Sequence, residues 1–228
     1  MSLAKYKTIY ADPPWNERGA GRIKRGADRH YPLMKTPEII ALQDFVMSLA
    51  HPEGCHLYLW VTNNFLKDGL RVMKEWGFRY ITKISWHKEG NIGLGQYFRG
   101  TSEDCLFGVR GRLPYKVVDG KRQQGRTSFS APKQGHSQKP EKMVEMIETV
   151  SYAPYIELFA REPREGWDSW GLSIDDLIAE HAKHIDIDTV IKEEKVRIVL
   201  STIPKDPEDQ PTMQLLPEEH GKIQHGYS

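Results

Sequence analysis

The chain has 228 residues, of which 39% are hydrophobic, and its 32 Lys and Arg against 31 Asp and Glu give a net charge of +1. This length accommodates one α/β domain with a small appendage. No apolar run approaches the roughly 20 residues that span a bilayer, and the amino terminus lacks the apolar stretch of a secretory signal. We therefore expect a cytoplasmic protein in a reducing compartment, with Cys55 and Cys105 as buried free thiols.

Short apolar runs alternate with segments of helical periodicity along the first 171 residues. The pattern predicts, in chain order, a strand at 7–11, a helix at 36–50, a strand at 55–61, a helix at 63–76, strands at 78–86 and 104–109, a helix at 139–150 and a strand at 155–160. This alternation predicts an α/β, Rossmann-like fold with a mainly parallel sheet and helices on both faces. Because ligands of such sheets bind at the carboxyl ends of strands, we expect the loops that follow strands to converge on one crevice.

Two aperiodic segments, 16–30 and 111–135, carry most of the excess positive charge and are interpreted as basic loops. Residues 172–228 are interpreted as an appendage with a helix near 173–184, a strand near 195–200 and a polar tail. Because phosphate contacts supply much of the affinity for nucleic acid, two basic loops favour a nucleic-acid partner, with ordinary solvated charge as the alternative. The cations predicted to contact nucleic acid are Arg18, Arg22, Lys24, Arg25, Lys121 and Arg122.

The strongest chemical signal is the run Asp12-Pro13-Pro14-Trp15, which directly follows the first predicted strand. An exocyclic amine such as N6 of adenine is a poor nucleophile because its lone pair is delocalised into the ring. Two acceptors on its N–H bonds would draw the nitrogen toward tetrahedral geometry, and the Asp12 carboxylate and the Pro13 carbonyl can supply them. The prolines stiffen the turn, and Trp15 offers a face on which a base can stack. The alternative is a surface turn, which the preceding strand and the following Trp disfavour.

Further blocks of sequence extend this signal over about three quarters of the chain, from Tyr6 to Gly171. They are Ala11–Trp15, His30–Met34, Leu57–Thr62, Ile84–Lys88, Glu103–Gly111, Ser137–Pro140, Ile156–Arg161 and Gly166–Gly171. As an ordered set they resemble the MT-A70 family of adenine methyltransferases, which includes the catalytic subunit of the eukaryotic mRNA N6-adenosine methyltransferase. The resemblance implies that residues 1–171 form a catalytic domain whose catalytic motif precedes the strand that binds S-adenosylmethionine (SAM).

The resemblance also implies roles for single residues. The residues Asp12, Pro13, Pro14 and Trp15 would hold the target amine, and Asp12 would also lie near the amino group of SAM. The other residues implied at the cofactor are Gln138, Lys139, Phe159, Arg161 and Arg164. Those implied around the target adenine are Tyr31, Trp86 and Glu103. The alternatives are a solvated first-turn lysine for Lys139, a surface salt bridge for Arg161 and a core side chain for Trp86.

Only 11 residues precede the motif here, so compared with longer eukaryotic members we expect no counterpart of the segment that contacts the SAM adenine ring in them. We expect the 164–172 loop to supply that part of the pocket. A short chain of this kind resembles bacterial or phage members, which favours DNA over RNA as the substrate. RNA, a free nucleotide, and a non-catalytic scaffold subunit remain alternatives, although the intact Asp12 and Trp15 favour activity. We expect no metal, and a homodimer or a complex with a related partner subunit are the two assemblies considered.

Overall fold

The computed structural model describes residues 5–16, 33–90, 97–133 and 138–171. Its strands are β1 (Thr8–Ala11), β2 (Gly54–Val61), β3 (Arg79–Glu89), β4 (Ser102–Gly111), β5 (Val117–Val118), β6 (Lys121–Arg122), β7 (Ser128–Pro132), β8 (Tyr155–Ala160) and β9 (Trp167–Gly171). Its helices are α1 (Thr36–Ile40), α2 (Gln43–Leu49), α3 (Leu66–Glu75) and α4 (Glu141–Val150). Among these described residues, no helix has the length and apolar character needed to cross a membrane.

Seven strands form one sheet in the order β7-β3-β4-β2-β1-β8-β9, and β5 pairs separately with β6. All strands of the large sheet run in one direction except β4, which is antiparallel to both β2 and β3. The predicted mainly parallel sheet is therefore confirmed. Because β4 is reversed, it begins at Ser102, at the carboxyl edge of the parallel strands. It ends at Gly111, which pairs with Gly54 at the amino edge. The segments before and after β4 therefore lie at opposite edges of the sheet.

Alternate residues of the central strands face two separate hydrophobic clusters, as the two-residue period of a strand requires. Ile9 and Leu57 belong to the cluster that contains the buried side chains of α1, α2 and α3. Tyr10 and Tyr58 belong to the other cluster, which contains those of α4. Both faces of the sheet are thus covered by helices, which confirms the predicted three-layer arrangement.

The prediction that residues 111–135 form a loop is wrong, because this segment contains the strands β5, β6 and β7. Asp119 and Gly120 have φ values of 50° and 72° and connect β5 to β6 as a tight hairpin. An Asp-Gly pair at such a turn is a recognised hairpin signal, and it was present in the sequence. The segment then forms β7, which pairs in parallel with β3. The predicted helix at 36–50 is also interrupted, at Ala41 and Leu42, and forms α1 and α2.

A buried polar group links β2 to the end of α4. His56 Nδ1 and the Tyr58 hydroxyl each lie 2.8 Å from the Ser151 hydroxyl oxygen. His56 is only 3% exposed, and burial lowers its pKa from 6.5 to about 4. The unfolded chain therefore binds a proton between these two pH values that the folded chain does not bind.

We expect the free energy of unfolding to fall by roughly 3 kcal/mol as the pH drops from 6.5 to 4, because one pKa unit corresponds to about 1.4 kcal/mol. Urea unfolding at a series of pH values, compared between the native chain and His56→Gln, measures this contribution. The variant should show a flatter pH dependence over that interval. An identical slope in both proteins would show that His56 does not titrate as described.

Candidate active site

The predicted catalytic motif begins where β1 ends, at the carboxyl edge of the sheet. The Asp12 N–H donates to the carbonyl of Leu158 at 3.4 Å, which holds the motif beside β8. Lys139, immediately before the proline that precedes α4, reaches the same place from 127 positions away. Its Nζ donates to Asp12 Oδ2 at 2.7 Å. The structure thus brings together the two residues predicted to hold the target amine and the methionine end of the cofactor.

Two more charged side chains extend this pair into a row of alternating sign. Glu103, near the start of β4, has its Oε2 atom 3.6 Å from Lys139 Nζ. Lys88, near the end of β3, binds the other carboxylate oxygen of Glu103. The side chains of the row Lys88, Glu103, Lys139 and Asp12 are only 13–21% exposed. We call these four residues the charge row.

The pKa values of the two carboxylates in the charge row are shifted in opposite directions. Burial raises the pKa of Asp12, and the nearby Lys139 offsets this only in part. Burial acts in the same sense on Glu103, but Lys139 and Lys88 together hold its pKa below the ordinary value. Asp12 is therefore the more readily protonated member of the row, and its protonation state depends on Lys139.

Trp60, to which the sequence analysis gives no role, makes two contacts at the site. Lys139 Nζ lies 5.3 Å from the centre of the Trp60 ring, within cation–π range. The Trp60 indole N–H donates to the Tyr10 hydroxyl at 2.7 Å, which fixes the ring. The sequence signal available was position, because Tyr10 and Trp60 each stand one residue before the end of a predicted strand, at 7–11 and at 55–61.

The structure does not present Trp15 as a surface for base stacking. The side chain is 5% exposed, its ring stacks on Phe65 at 5.4 Å, and its indole N–H donates to the Trp60 carbonyl at 2.9 Å. Main-chain bonds complete the anchor, since Pro14 accepts from the N–H of Met34 and Pro13 accepts from the N–H of Trp15. Trp15 therefore fixes the turn to the core, and the base-stacking role predicted for it does not fit this geometry.

Trp86, which was predicted near the target adenine, is a core side chain. It is 2% exposed, donates its indole N–H to the Ala131 carbonyl at 2.9 Å and meets Trp60 edge-on at 6.2 Å. Lys88 Nζ lies 5.3 Å from its ring centre. Trp86 thus lies against Lys88, one end of the charge row, and its burial argues against contact with a base.

Phe159 lies at the end of β8, where the sequence predicted cofactor contacts. Its φ of 63° is unusual for a non-glycine residue and coincides with a shift in the β8–β9 register. The bulge brings the Ala160 carbonyl so close to β9 that a Cβ on Gly171 would lie 1.7 Å from its oxygen. Within the segment 164–172, expected as a loop, residues 167–171 form the strand β9, which the sequence pattern did not predict, and residue 172 lies outside the described residues.

The other residues predicted at the cofactor lie at the same edge of the sheet. Arg161 follows β8, and its charge lowers the pKa of Asp12, while Gln138 is exposed beside Lys139. Arg164 binds the carboxylates of Glu141 and Glu157. A cofactor role for Arg164 would require a ligand to share or replace these ion pairs.

Two of the cations predicted to contact nucleic acid, Lys121 and Arg122, lie away from the charge row. Lys121 and Arg122 form β6, and Arg122 lies over the Tyr115 ring at 4.0 Å. Because β4 is antiparallel, its last residue lies at the amino edge of the sheet, whereas Asp12 lies at the carboxyl edge. The β5–β6 hairpin follows β4 in the chain at that amino edge. Lys121 and Arg122 therefore lie away from Asp12, and their contact with nucleic acid stays a prediction. The remaining predicted contacts, Arg18, Arg22, Lys24, Arg25 and Tyr31, and the predicted appendage at 172–228, lie outside the described residues.

Both cysteines of the chain are buried and free, and within the described residues no group of three or more His, Cys, Asp or Glu is placed to hold a metal ion. The site at the carboxyl edge consists, among the described residues, of charged side chains and main-chain acceptors around Asp12. Its parts are a stiff Pro-Pro turn, a partly buried carboxylate and a lysine held over an aromatic ring.

Comparison with known proteins agrees with the resemblance seen in the sequence. The model of the MT-A70 family matches residues 6–173. The type II methyltransferase M.MunI of a Mycoplasma species is 30% identical over 191 residues, which cover 75% of this chain and 79% of M.MunI. Human N(6)-adenosine-methyltransferase catalytic subunit METTL3 is 27% identical over 188 residues, which cover 77% of this chain but 29% of METTL3.

The N6-methyladenosine RNA methyltransferase MTA1 of Cryphonectria parasitica is 30% identical over 178 residues, covering 73% of this chain and 51% of MTA1. The chain thus spans most of M.MunI but only part of the eukaryotic proteins it matches. The family model covers well over half of the chain, including the motif and the charge row. The chain therefore belongs to the MT-A70 methyltransferase family.

Proposed function

We propose that this chain uses SAM to methylate N6 of adenine in nucleic acid, with DNA favoured over RNA. The observation that carries the proposal is the ion pair between Asp12 and Lys139, set in an Asp-Pro-Pro-Trp turn at the carboxyl edge of the sheet. Membership of a methyltransferase family supplies the reaction class. The preference for DNA rests on the resemblance of this short chain to bacterial and phage members, and RNA is the alternative.

The charge row fits the cofactor in its chemistry. The methionine end of SAM carries a carboxylate and an ammonium group, so a site for it needs a cation and an anion side by side. Lys139 and Asp12 provide these at 2.7 Å, both partly buried, where charge-assisted bonds are strong. SAM, when bound, supplies a methyl group on a positively charged sulfur. Lys139 would hold the cofactor carboxylate, and Asp12 would lie between the cofactor amino group and the target amine.

Asp12 and the Pro13 carbonyl would orient the amine. A carboxylate has two oxygens, so Asp12 can accept from Lys139 at Oδ2 and from an N–H of the amine at Oδ1. The Pro13 carbonyl accepts from the N–H of Trp15 at 2.8 Å and has a second lone pair for the other N–H. As the bond from N6 to the methyl carbon forms and the methyl–sulfur bond breaks, leaving a neutral thioether, the negative charge of Asp12 would stabilise the positive charge on N6 until N6 releases one proton to solvent.

Transfer of a labelled methyl group from SAM to three polymers of matched sequence tests the proposal. The polymers are single-stranded DNA, duplex DNA and RNA, each rich in varied adenine contexts. We expect label in DNA, with less or none in RNA. Label in RNA alone would overturn the choice of polymer, and label in none of the three would overturn the proposed activity.

A further inference from the structure

Two aromatic side chains stand almost fully in solvent at the edge of the sheet that carries the site. Tyr97 and Phe98 are 90% and 91% exposed, in the segment that connects β3 to β4. The base of this segment is closed by a hydrogen bond from the Lys88 N–H to the Thr101 carbonyl at 2.8 Å. Lys88 and Glu103, members of the charge row, therefore flank the point where the two rings are attached.

We propose that Tyr97 and Phe98 stack on the bases adjacent to the target adenine in the bound nucleic acid. The proposal rests on the proposed function and adds a contact surface to it. The target amine must reach Asp12, among side chains that are only 13–21% exposed. The two rings project outside that enclosure, so they can meet neighbouring bases.

The surroundings of the two rings favour a base over a protein as the partner. The next residues along the chain are Arg99, Gly100 and Thr101, which add no apolar surface. The other exposed large hydrophobic side chains among the described residues are Leu70, Tyr80, Ile81, Tyr115, Val117 and Val118, and they lie on α3, at the start of β3 and near the β5–β6 hairpin. A stable protein interface buries about 800 Å² per partner around an apolar centre, which these two rings alone, among the described residues, do not supply. Base stacking needs only single open ring faces.

Stacking of this kind has a defined consequence for the reaction. Each base–aromatic stack contributes enough to change nucleic-acid affinity by roughly tenfold. When adenine leaves a base stack to reach the enzyme, its neighbours lose a stacking partner, and an aromatic ring can take that place. The two rings should therefore act on nucleic-acid binding and leave SAM binding unchanged.

The test compares Tyr97→Ala/Phe98→Ala with Tyr97→Leu/Phe98→Leu, which keeps apolar side chains but removes the rings. Tyr80→Ala is the matched control, because Tyr80 is an exposed aromatic at the other end of β3. The measurements are KM for DNA, Kd for SAM, and the fluorescence of 2-aminopurine placed beside the target adenine. We expect both double variants to raise KM for DNA by tenfold or more, to lose fluorescence quenching and to keep the Kd for SAM, while Tyr80→Ala behaves as the native chain.

An unchanged KM for DNA in the alanine variant would overturn the proposal, and so would native behaviour of the leucine variant, which would show that ring faces are not needed. A lower molar mass of the alanine variant by light scattering would overturn it as well, because the rings would then join two copies of the chain. A native chain that neither binds nor methylates any polymer would overturn the proposed function itself. That result is recognised without the variants.

Discussion

Asp12→Asn is expected to lower kcat for methyl transfer by about 100- to 1000-fold, because it removes the negative charge that faces the developing charge on the amine. The amide keeps the volume of the carboxylate, and Lys139 retains Glu103 as an ion-pair partner at 3.6 Å. We therefore expect the fold and nucleic-acid binding to persist. Single-turnover transfer with saturating SAM and DNA measures the effect.

Asp44→Asn is the matched control for that experiment, because it makes the same change at an exposed position in the first turn of α2. It should transfer methyl groups at the native rate. Near-native activity of Asp12→Asn would remove Asp12 from the mechanism. Loss of thermal stability in Asp12→Asn but not in Asp44→Asn would instead show that the carboxylate holds the turn.

Lys139→Met is expected to weaken SAM binding by about 10- to 100-fold, as the loss of one hydrogen bond to a charged group predicts. It should also move the acid limb of the kcat/KM profile to higher pH. The sign follows from Asp12, whose pKa is already raised by burial and is lowered by Lys139. Without the lysine the pKa rises further, and Asp12 becomes protonated, and unable to accept through that oxygen, at a higher pH.

Calorimetry with SAM and a pH–rate profile check the two effects of Lys139→Met separately. Lys142→Met is the control, since Lys142 lies in the first turn of α4 and donates to the Ser130 carbonyl on β7 at 3.5 Å, away from the charge row. It should change neither property. An unchanged SAM affinity in Lys139→Met would place the lysine outside the cofactor site, and an acid limb that moves to lower pH would contradict the electrostatic coupling to Asp12.

Sequence reasoning located the site because the chemistry is concentrated in short runs beside strongly periodic segments. Asp12 follows a fully buried strand, and Lys139 precedes an amphipathic helix, so both elements could be predicted from local pattern. The carboxyl-edge rule then places the two residues near each other. The 2.7 Å ion pair agrees with that expectation.

The predictions that failed depend on contacts between segments that are far apart in the chain. No local pattern states that β4 runs antiparallel, and that one reversal moves Lys121 and Arg122 to the opposite edge of the sheet. Residue type assigned Trp15 to a base and the family resemblance assigned Trp86 to one, whereas both indoles are buried and donate to the carbonyls of Trp60 and Ala131. Such partners lie 45 residues away in each case, beyond the reach of periodicity.

The central claim is that the group methylated is N6 of adenine, and product analysis tests it most directly. DNA treated with the native chain and SAM is digested to nucleosides and analysed by mass spectrometry against methylated standards. The account predicts N6-methyladenine as the product, and its absence when Asp12→Asn is used. Methylation of a cytosine amine or of a ring carbon, or equal yields of N6-methyladenine from both proteins, would contradict it.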